Sequence, residues 1–400
     1  MPRKAKSEAR TKRVANTAPD PKRMKLLRDY VRSEGVKYLN DPNINSVGVG
    51  YKIKDGNRTN ELSIQFTVDK KADRPEEVGT VSSTAIPKTV QWKGTEIPTD
   101  VIERKFYPAY KIVKPEAKTD RKQRLSTLVP GISVSHPSGT AGTLGLIVYE
   151  QQTGQPCMLS NWHVLETPAG NLGDFVVQPG PFDDNRIDQN HAGILIRSHL
   201  GVAGDCAIAR IQDRDCDPTV LDLNVEVSEL ARPELGDHVV KSGRTTSVTY
   251  GIVRRVDTVT KVDYEGDVGV RRIGGFEIGP DPDRPAADSQ ISMGGDSGSA
   301  WLIENNGKAS KTMIGLHFAG ESEGDPDDHA MACYAHSVFE KLEIGLVPPP
   351  AAPEIAIENT QPAGYETANS KSKLTFLPRR ICSTTLRRLI SIPFACIRCR

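Results

Sequence analysis

Along residues 45–54 and again along 62–68, apolar and polar side chains alternate with a period of two, and Asp55-Gly56-Asn57-Arg58 stands between the runs. Alternation of that kind puts apolar side chains on one face of a strand, and Asp-Gly tolerates the positive φ of a tight turn, so the pattern predicts a β-hairpin. Upstream, beginning at Lys22, the apolar residues of Met24-Lys25-Leu26-Leu27-Arg28-Asp29-Tyr30-Val31 fall three and four apart, which predicts a helix reaching about Leu39. Residues 90–97 and 101–104 read as two more strands. These elements predict a small α+β domain over residues 21–120.

Farther on, the rhythm changes to short apolar runs separated by Gly, Pro and Asp. Residues 131–135, 143–149, 157–160, 175–178, 193–199 and 206–211 are spaced as strands of one antiparallel barrel, spanning about 125–225. A second set runs from about 238 to 339, in a barrel spanning about 235–345. The N-terminal domain would inhibit, recruit substrate or brace the first barrel, with bracing the leading expectation. At 400 residues the chain is long enough for two such cores plus additions, and 34 Gly with 28 Pro suit many short strands joined by loops. Pro348-Pro349-Pro350-Ala351-Ala352-Pro353 ends the fold, because consecutive prolines stiffen the chain and cannot join a sheet.

Candidate chemistry begins at Met293-Gly294-Gly295-Asp296-Ser297-Gly298-Ser299-Ala300. Glycines on both sides of a serine allow backbone shapes that a Cβ forbids, and the amides of Gly295 and Ser297 are then able to face a carbonyl oxygen that becomes negative. A serine hydroxyl needs a base to take its proton and a carboxylate to orient that base. His163 follows an apolar run in Pro156-Cys157-Met158-Leu159-Ser160-Asn161-Trp162-His163, and Asp205 heads the small-apolar strand Gly204-Asp205-Cys206-Ala207-Ile208-Ala209. Asp174, Asp183, Asp184 and Asp188 are rival acids, but none of them heads an apolar strand. The order His163, Asp205, Ser297 is the chymotrypsin order. If the two barrels form, His163 and Asp205 lie on the first and Ser297 on the second, across a cleft.

These three blocks resemble the catalytic blocks of chymotrypsin-like (trypsin-like) serine peptidases. Pro130-Gly131-Ile132-Ser133, Thr140-Ala141-Gly142-Thr143-Leu144-Gly145 and Lys241-Ser242-Gly243-Arg244-Thr245-Thr246 resemble a bacterial branch of that family related to the plant narrow-leaf protein. The similarity covers about residues 125–345 and, less specifically, Val47-Gly48-Val49-Gly50-Tyr51-Lys52. It implies a mostly β, chymotrypsin-like double antiparallel β-barrel with a small α+β N-terminal domain. It also implies His163 as general base, Asp205 as its orienting carboxylate, Ser297 as nucleophile, and Gly295 with Ser297 as oxyanion donors. Val164 stands where animal secreted members carry a cysteine, so their neighbouring disulfide cannot form, and no activation by a cleaved hydrophobic N-terminus is expected.

In this family the floor of the primary pocket lies six residues before the serine, at Ile291, so cleavage after Arg or Lys is not expected. Ser292 is small and polar, and Ile314-Gly315-Leu316-His317-Phe318-Ala319-Gly320 resembles a strand of glutamyl endopeptidases and viral cysteine peptidases whose histidine contacts Glu or Gln. Ile291, Ser292 and His317 therefore suggest a pocket for Glu, Gln or a small apolar residue. A serine endopeptidase acting on protein or peptide substrates is the leading reading, and a non-catalytic peptide-binding module on the same fold is the alternative.

Charge narrows the partners only slightly. Lys and Arg total 52 against 51 Asp and Glu, a net charge of +1, so the bulk composition favours neither nucleic acid nor an acidic partner. Residues 1–20 form a basic arm and 346–400 a Pro-rich linker and basic tail, both expected to be disordered; Pro378 and Pro393 argue against a membrane-surface helix in the tail. With no secretory-type or transmembrane apolar run, a cytoplasmic location is expected. Seven cysteines without regular spacing predict no disulfide framework, Cys157 and Cys206 read as buried thiols, and Cys396 with Cys399 lacks partners for zinc. No metal or cofactor is expected, and Lys241-Ser242-Gly243-Arg244-Thr245-Thr246 lacks phosphate-loop spacing.

Overall fold

A computed structural model describes residues 19–72, 83–108, 120–321 and 328–350. The expected basic arm as far as residue 18, and the tail from residue 351 with Cys382, Cys396 and Cys399, lie outside them.

The N-terminal helix is Pro21–Ser33. Asp20 caps it by accepting from the amides of Lys22 and Arg23, Pro21 occupies the first turn where its missing N–H costs nothing, and Met24, Leu27, Tyr30 and Val31 face inward. The expected helix to Leu39 instead stops at Ser33, and the chain tightens into a 3-10 turn, Gly35–Asn40. Gly35 lies close against Val47, where an added Cβ would come within 3.1 Å of a valine methyl. The hairpin forms as Ile44–Lys54 and Asn57–Val68, with Asp55 and Gly56 at positive φ in the turn. Its register sets Val47 opposite Phe66 and Val49 opposite Ile64, all buried. Residues 90–97, expected as one strand, are crossed by a turn at Lys93 and Gly94, both at positive φ, that separates Thr89–Trp92 from Thr95–Glu103.

Two antiparallel barrels follow, so the fold is mostly β and chymotrypsin-like. In the first, Phe175–Val177, His191–Gly201, Gly204–Ile211, Pro156–Ser160 and Leu146–Glu150 pair in that order. The sheet curls back where Ser135 and Val177 exchange backbone hydrogen bonds, and Ser133–Val134 pairs with Gly142–Thr143 just ahead of the Leu146 strand. In the second, His238–Gly243, Ala300–Asn305, Lys308–Gly320, Ala330–Tyr334, Val270–Pro280 and Ser247–Asp263 pair in sequence, and the last returns to the first. The C-terminal helix Ala335–Leu342 leads into Ile344–Gly345, which pairs with Leu146–Glu150 of the first barrel.

The N-terminal hairpin does not brace the first barrel. Ile44–Lys54 pairs with Ser247–Asp263 of the second, and Val47, Val49, Ile64 and Phe66 share one core cluster with Val239, Phe276 and Ile314. Beneath this seam, Glu277 is fully buried between two cations, Arg255 at 2.8 Å and Arg104 at 2.7 Å, and Arg255 also donates to Ser46 Oγ and to the Gln65 carbonyl. Burial opposes a charge on Glu277, but Arg255 and Arg104 outweigh it and hold the carboxyl well below the usual carboxylate range.

Candidate active site

His163 lies in a single helical turn, Trp162–Leu165, directly after the Pro156–Ser160 strand. Asp205 is the second residue of the neighbouring strand, Gly204–Ile211, whose register against Pro156–Ser160 brings it beside that turn. Its carboxylate lies 2.5 Å from His163 Nδ1 and accepts the His163 amide at 3.3 Å, and both side chains are fully buried. Two features hold the aspartate still. Asn161 donates to its carbonyl at 2.7 Å, and the Tyr264 hydroxyl, just past the end of Ser247–Asp263 on the second barrel, donates to its Oδ2 at 2.6 Å. The rival acids are committed elsewhere: Asp174 faces His136, Asp184 pairs with Arg186, and Asp183 pairs with Arg244, while Asp188 lies in the 3-10 turn Ile187–Gln189.

Ser297 lies in the turn that precedes the Ala300–Asn305 strand, with its side chain buried and its Oγ without a hydrogen-bond partner. The turn's carbonyls are tied down. Thr245 Oγ1 donates to Gly294 O at 2.7 Å, Thr143 Oγ1 to Gly295 O at 2.8 Å, and Ser299 Oγ to Asp296 O at 2.5 Å. In a trans peptide the N–H points opposite to the preceding carbonyl, so fixing Gly294 O and Asp296 O turns the amides of Gly295 and Ser297 away from those anchors. Among the described residues neither amide has an acceptor. Gly295 and Gly298 hold φ of 99° and 94°, where a side chain is strained, and a Cβ on Gly298 would collide with Ser160 Oγ and with the Thr143 carbonyl.

That last contact joins the barrels at the site, since Ser160 lies three residues before His163 and Thr143 N donates to Ser297 O at 2.7 Å. His317 completes the junction. Its carbonyl accepts the Gly298 amide at 2.9 Å, and its ring is close enough to His163 for their charges to interact. Burial, reinforced by Lys241, pushes the His317 pKa down to about 3, which keeps the ring neutral.

Asp296 sits beneath the turn, fully buried. It takes Lys241 Nζ at 3.1 Å, the Thr246 hydroxyl at 2.6 Å and the amides of Thr245, Thr246 and Met293. Burial works against its charge, yet Lys241 and Thr246 prevail and lower the carboxyl to about 2. This is the structural use of the Lys241-Ser242-Gly243-Arg244-Thr245-Thr246 run. Of the expected pocket residues, Ile291 turns its side chain into the core with Val239 and Trp301, is only 1% exposed, and donates its amide to Asp328 Oδ2 at 2.8 Å. Ser292 is buried with its hydroxyl unpartnered, and His317 packs edge-on against Trp301. Cys157 and Cys206 are buried free thiols. No metal-binding group of His, Cys, Asp and Glu occurs among the described residues, and no described helix is long and apolar enough to cross a membrane.

No family model and no curated protein matches the chain. Solved structures similar to it include Thermobifida fusca protease A, with 18% identity and a TM-score of 0.40 over 56% of this chain and 99% of that one. Nocardiopsis protease is similar at 16% identity and a TM-score of 0.40, over 55% of this chain and 97% of its own. A glutamic acid specific serine protease that uses a histidine triad in substrate binding is similar at 18% identity and a TM-score of 0.40, over 54% and 98%.

Proposed function

We propose that this protein is a serine endopeptidase of the chymotrypsin-like class, in its bacterial branch resembling the plant narrow-leaf protein, and that it hydrolyses peptide bonds through an acyl-enzyme. The observation that carries this reading is the bond between His163 Nδ1 and Asp205, within a junction that also holds an unpartnered Ser297 hydroxyl. Asp205 fixes the imidazole with Nδ1 protonated, which leaves Nε2 as the basic nitrogen. His163 takes the proton of Ser297 as Oγ attacks the substrate carbonyl, and the oxygen that becomes negative is met by the amides of Gly295 and Ser297. His163 then returns the proton to the leaving amine, and water repeats the sequence to release the acid.

Lys241 and Asp296 support the same reading. A buried ion pair held by five hydrogen bonds on the carboxylate fixes the turn without a cleaved N-terminus, so no maturation step is required for the oxyanion amides to be aimed. The pocket is assigned to Ser292 and His317, with Ile291 behind them in the core.

Peptide libraries incubated with the full chain and with Ser297→Ala test the proposal. Cleavage by the first and none by the second is expected. A well-folded wild-type chain that binds peptides without cutting them would establish the non-catalytic module instead.

A further inference from the structure

Two buried polar atoms without a hydrogen-bond partner lie near the end of the Lys308–Gly320 strand, which also carries His317: Ser292 Oγ and Asp328 Oδ1. Asp328 and His317 are fully buried and Ser292 is 4% exposed. Asp328 Oδ2 accepts the amides of Ile291 at 2.8 Å and Ser292 at 3.1 Å, which leaves Oδ1 bare. The Ser292 hydroxyl lies over Gly320, where an added Cβ would come within 2.8 Å of it. Gly320 pairs with Ala330, two residues beyond Asp328, and His317 precedes Gly320 by three on a strand hydrogen-bonded to the Ser297 turn. Bare polar atoms are rare in protein interiors, and two together close to the Ser297 turn mark a surface built to meet a polar side chain.

We propose that Asp328 selects the substrate, its free Oδ1 accepting from the cationic side chain of a Lys or Arg that precedes the scissile bond, with Ser292 Oγ as a second acceptor. This rests on the peptidase reading and replaces the expected preference for Glu, Gln or small apolar residues. Glu and Gln were expected from Ser292 and His317, and Lys and Arg were excluded on Ile291, whose side chain faces the core, while the carboxylate comes from a residue 37 positions farther along the chain. A Glu side chain meets like charge from Asp328, and an apolar one leaves both atoms bare. A Gln amide has a donor but no charge, so it leaves the buried carboxylate uncompensated. Burial, with Glu321 adding to it, pushes the Asp328 carboxyl up to about 7 against the two amides that favour its charge, so a cationic partner stabilises it most.

Two measurements test the assignment separately from the chemistry. p-Aminobenzamidine, a fluorescent aromatic cation, is titrated into Ser297→Ala and into Ser297→Ala with Asp328→Asn; saturable binding that weakens by about 100-fold in the double variant is expected. Wild type and Asp328→Asn are then assayed on peptides differing only before the scissile bond. Wild type is expected to favour Lys and Arg over Gln and Glu, and Asp328→Asn to lower the Lys-to-Gln ratio of kcat/KM by about 100-fold. Asp328-dependent binding of the cation without any hydrolysis would sink the peptidase reading and leave the pocket assignment standing. Hydrolysis that favours Glu, Gln or apolar residues would overturn the assignment and leave the peptidase reading standing, and this wild-type profile decides the matter if Asp328→Asn fails to fold.

Discussion

The Tyr264 hydroxyl donates to the same Asp205 oxygen that lies against His163 Nδ1, at 2.6 Å and 2.5 Å, so one carboxylate oxygen is shared between a phenol on the second barrel and an imidazole on the first. A tyrosine in that place holds Asp205 in register with the histidine. Replacing it by Phe keeps the ring, which is 1% exposed, and removes only the hydrogen bond. Tyr264→Phe is expected to lower kcat by roughly 10-fold to 100-fold with KM nearly unchanged, the loss of a hydrogen bond to a charged group. A KM that rises while kcat holds would show that Tyr264 acts on binding and not on the triad.

Asp296 and Lys241 make the second prediction. Lys241→Met leaves a buried carboxylate without its cation, which typically costs about 3–5 kcal/mol. Denaturant melts are expected to show a loss of that size, and peptidase activity is expected to fall with it, because the same carboxylate holds the amides of Met293, Thr245 and Thr246. Unchanged stability would mean that the pair does not hold the turn.

Much of this was legible in the chain, and the part that was not has a common cause. The hairpin around Asp55 and Gly56 was readable because turn chemistry and alternation are local, and the roles proposed for His163, Asp205 and Ser297 were suggested by the residues beside each of them. Tyr264, Asp328 and the Lys241–Asp296 pair were not readable. Each acts through a partner 37 to 59 residues away, fixed by strand register inside a closed barrel, and no local pattern reports register. The helical periodicity that begins at Lys22 likewise runs on past Ser33, while the chain tightens at Gly35 into a 3-10 turn that lies close against Val47.

His317 and Asp328 give opposite pH signatures. Burial and Lys241 depress His317 to about 3 from 6.5, so its neutral ring contributes stability that is present above pH about 6.5 and lost as pH falls toward 3. Burial and Glu321 raise Asp328 to about 7 from 3.8, against His329, so its protonated form contributes stability present at low pH and lost as pH rises toward 7. Between pH about 4 and 6.5 the two slopes, each up to about 1.4 kcal/mol per pH unit, nearly cancel. Urea melts across that range are therefore expected to show stability falling with rising pH in His317→Gln and rising with pH in Asp328→Asn. The same slope in both variants would show that neither group titrates as argued.

The seam between hairpin and second barrel depends on Glu277, which faces Arg255 and Arg104 together. Glu277→Gln leaves the buried Arg255 facing a neutral partner, while Arg104 keeps Glu321 at 2.9 Å, and is expected to destabilise the chain by about 3–5 kcal/mol, seen as a lower urea midpoint. A midpoint unchanged from wild type would mean that the cations find other partners.

The central claim is that Ser297 is an activated nucleophile, and covalent labelling by a fluorophosphonate reads that directly. Wild type is expected to label at Ser297, Ser297→Ala to give no labelling, and His163→Ala to label at least about 1,000-fold more slowly. Folded wild-type protein that takes up no label, or that labels equally with alanine at position 297, would contradict the account.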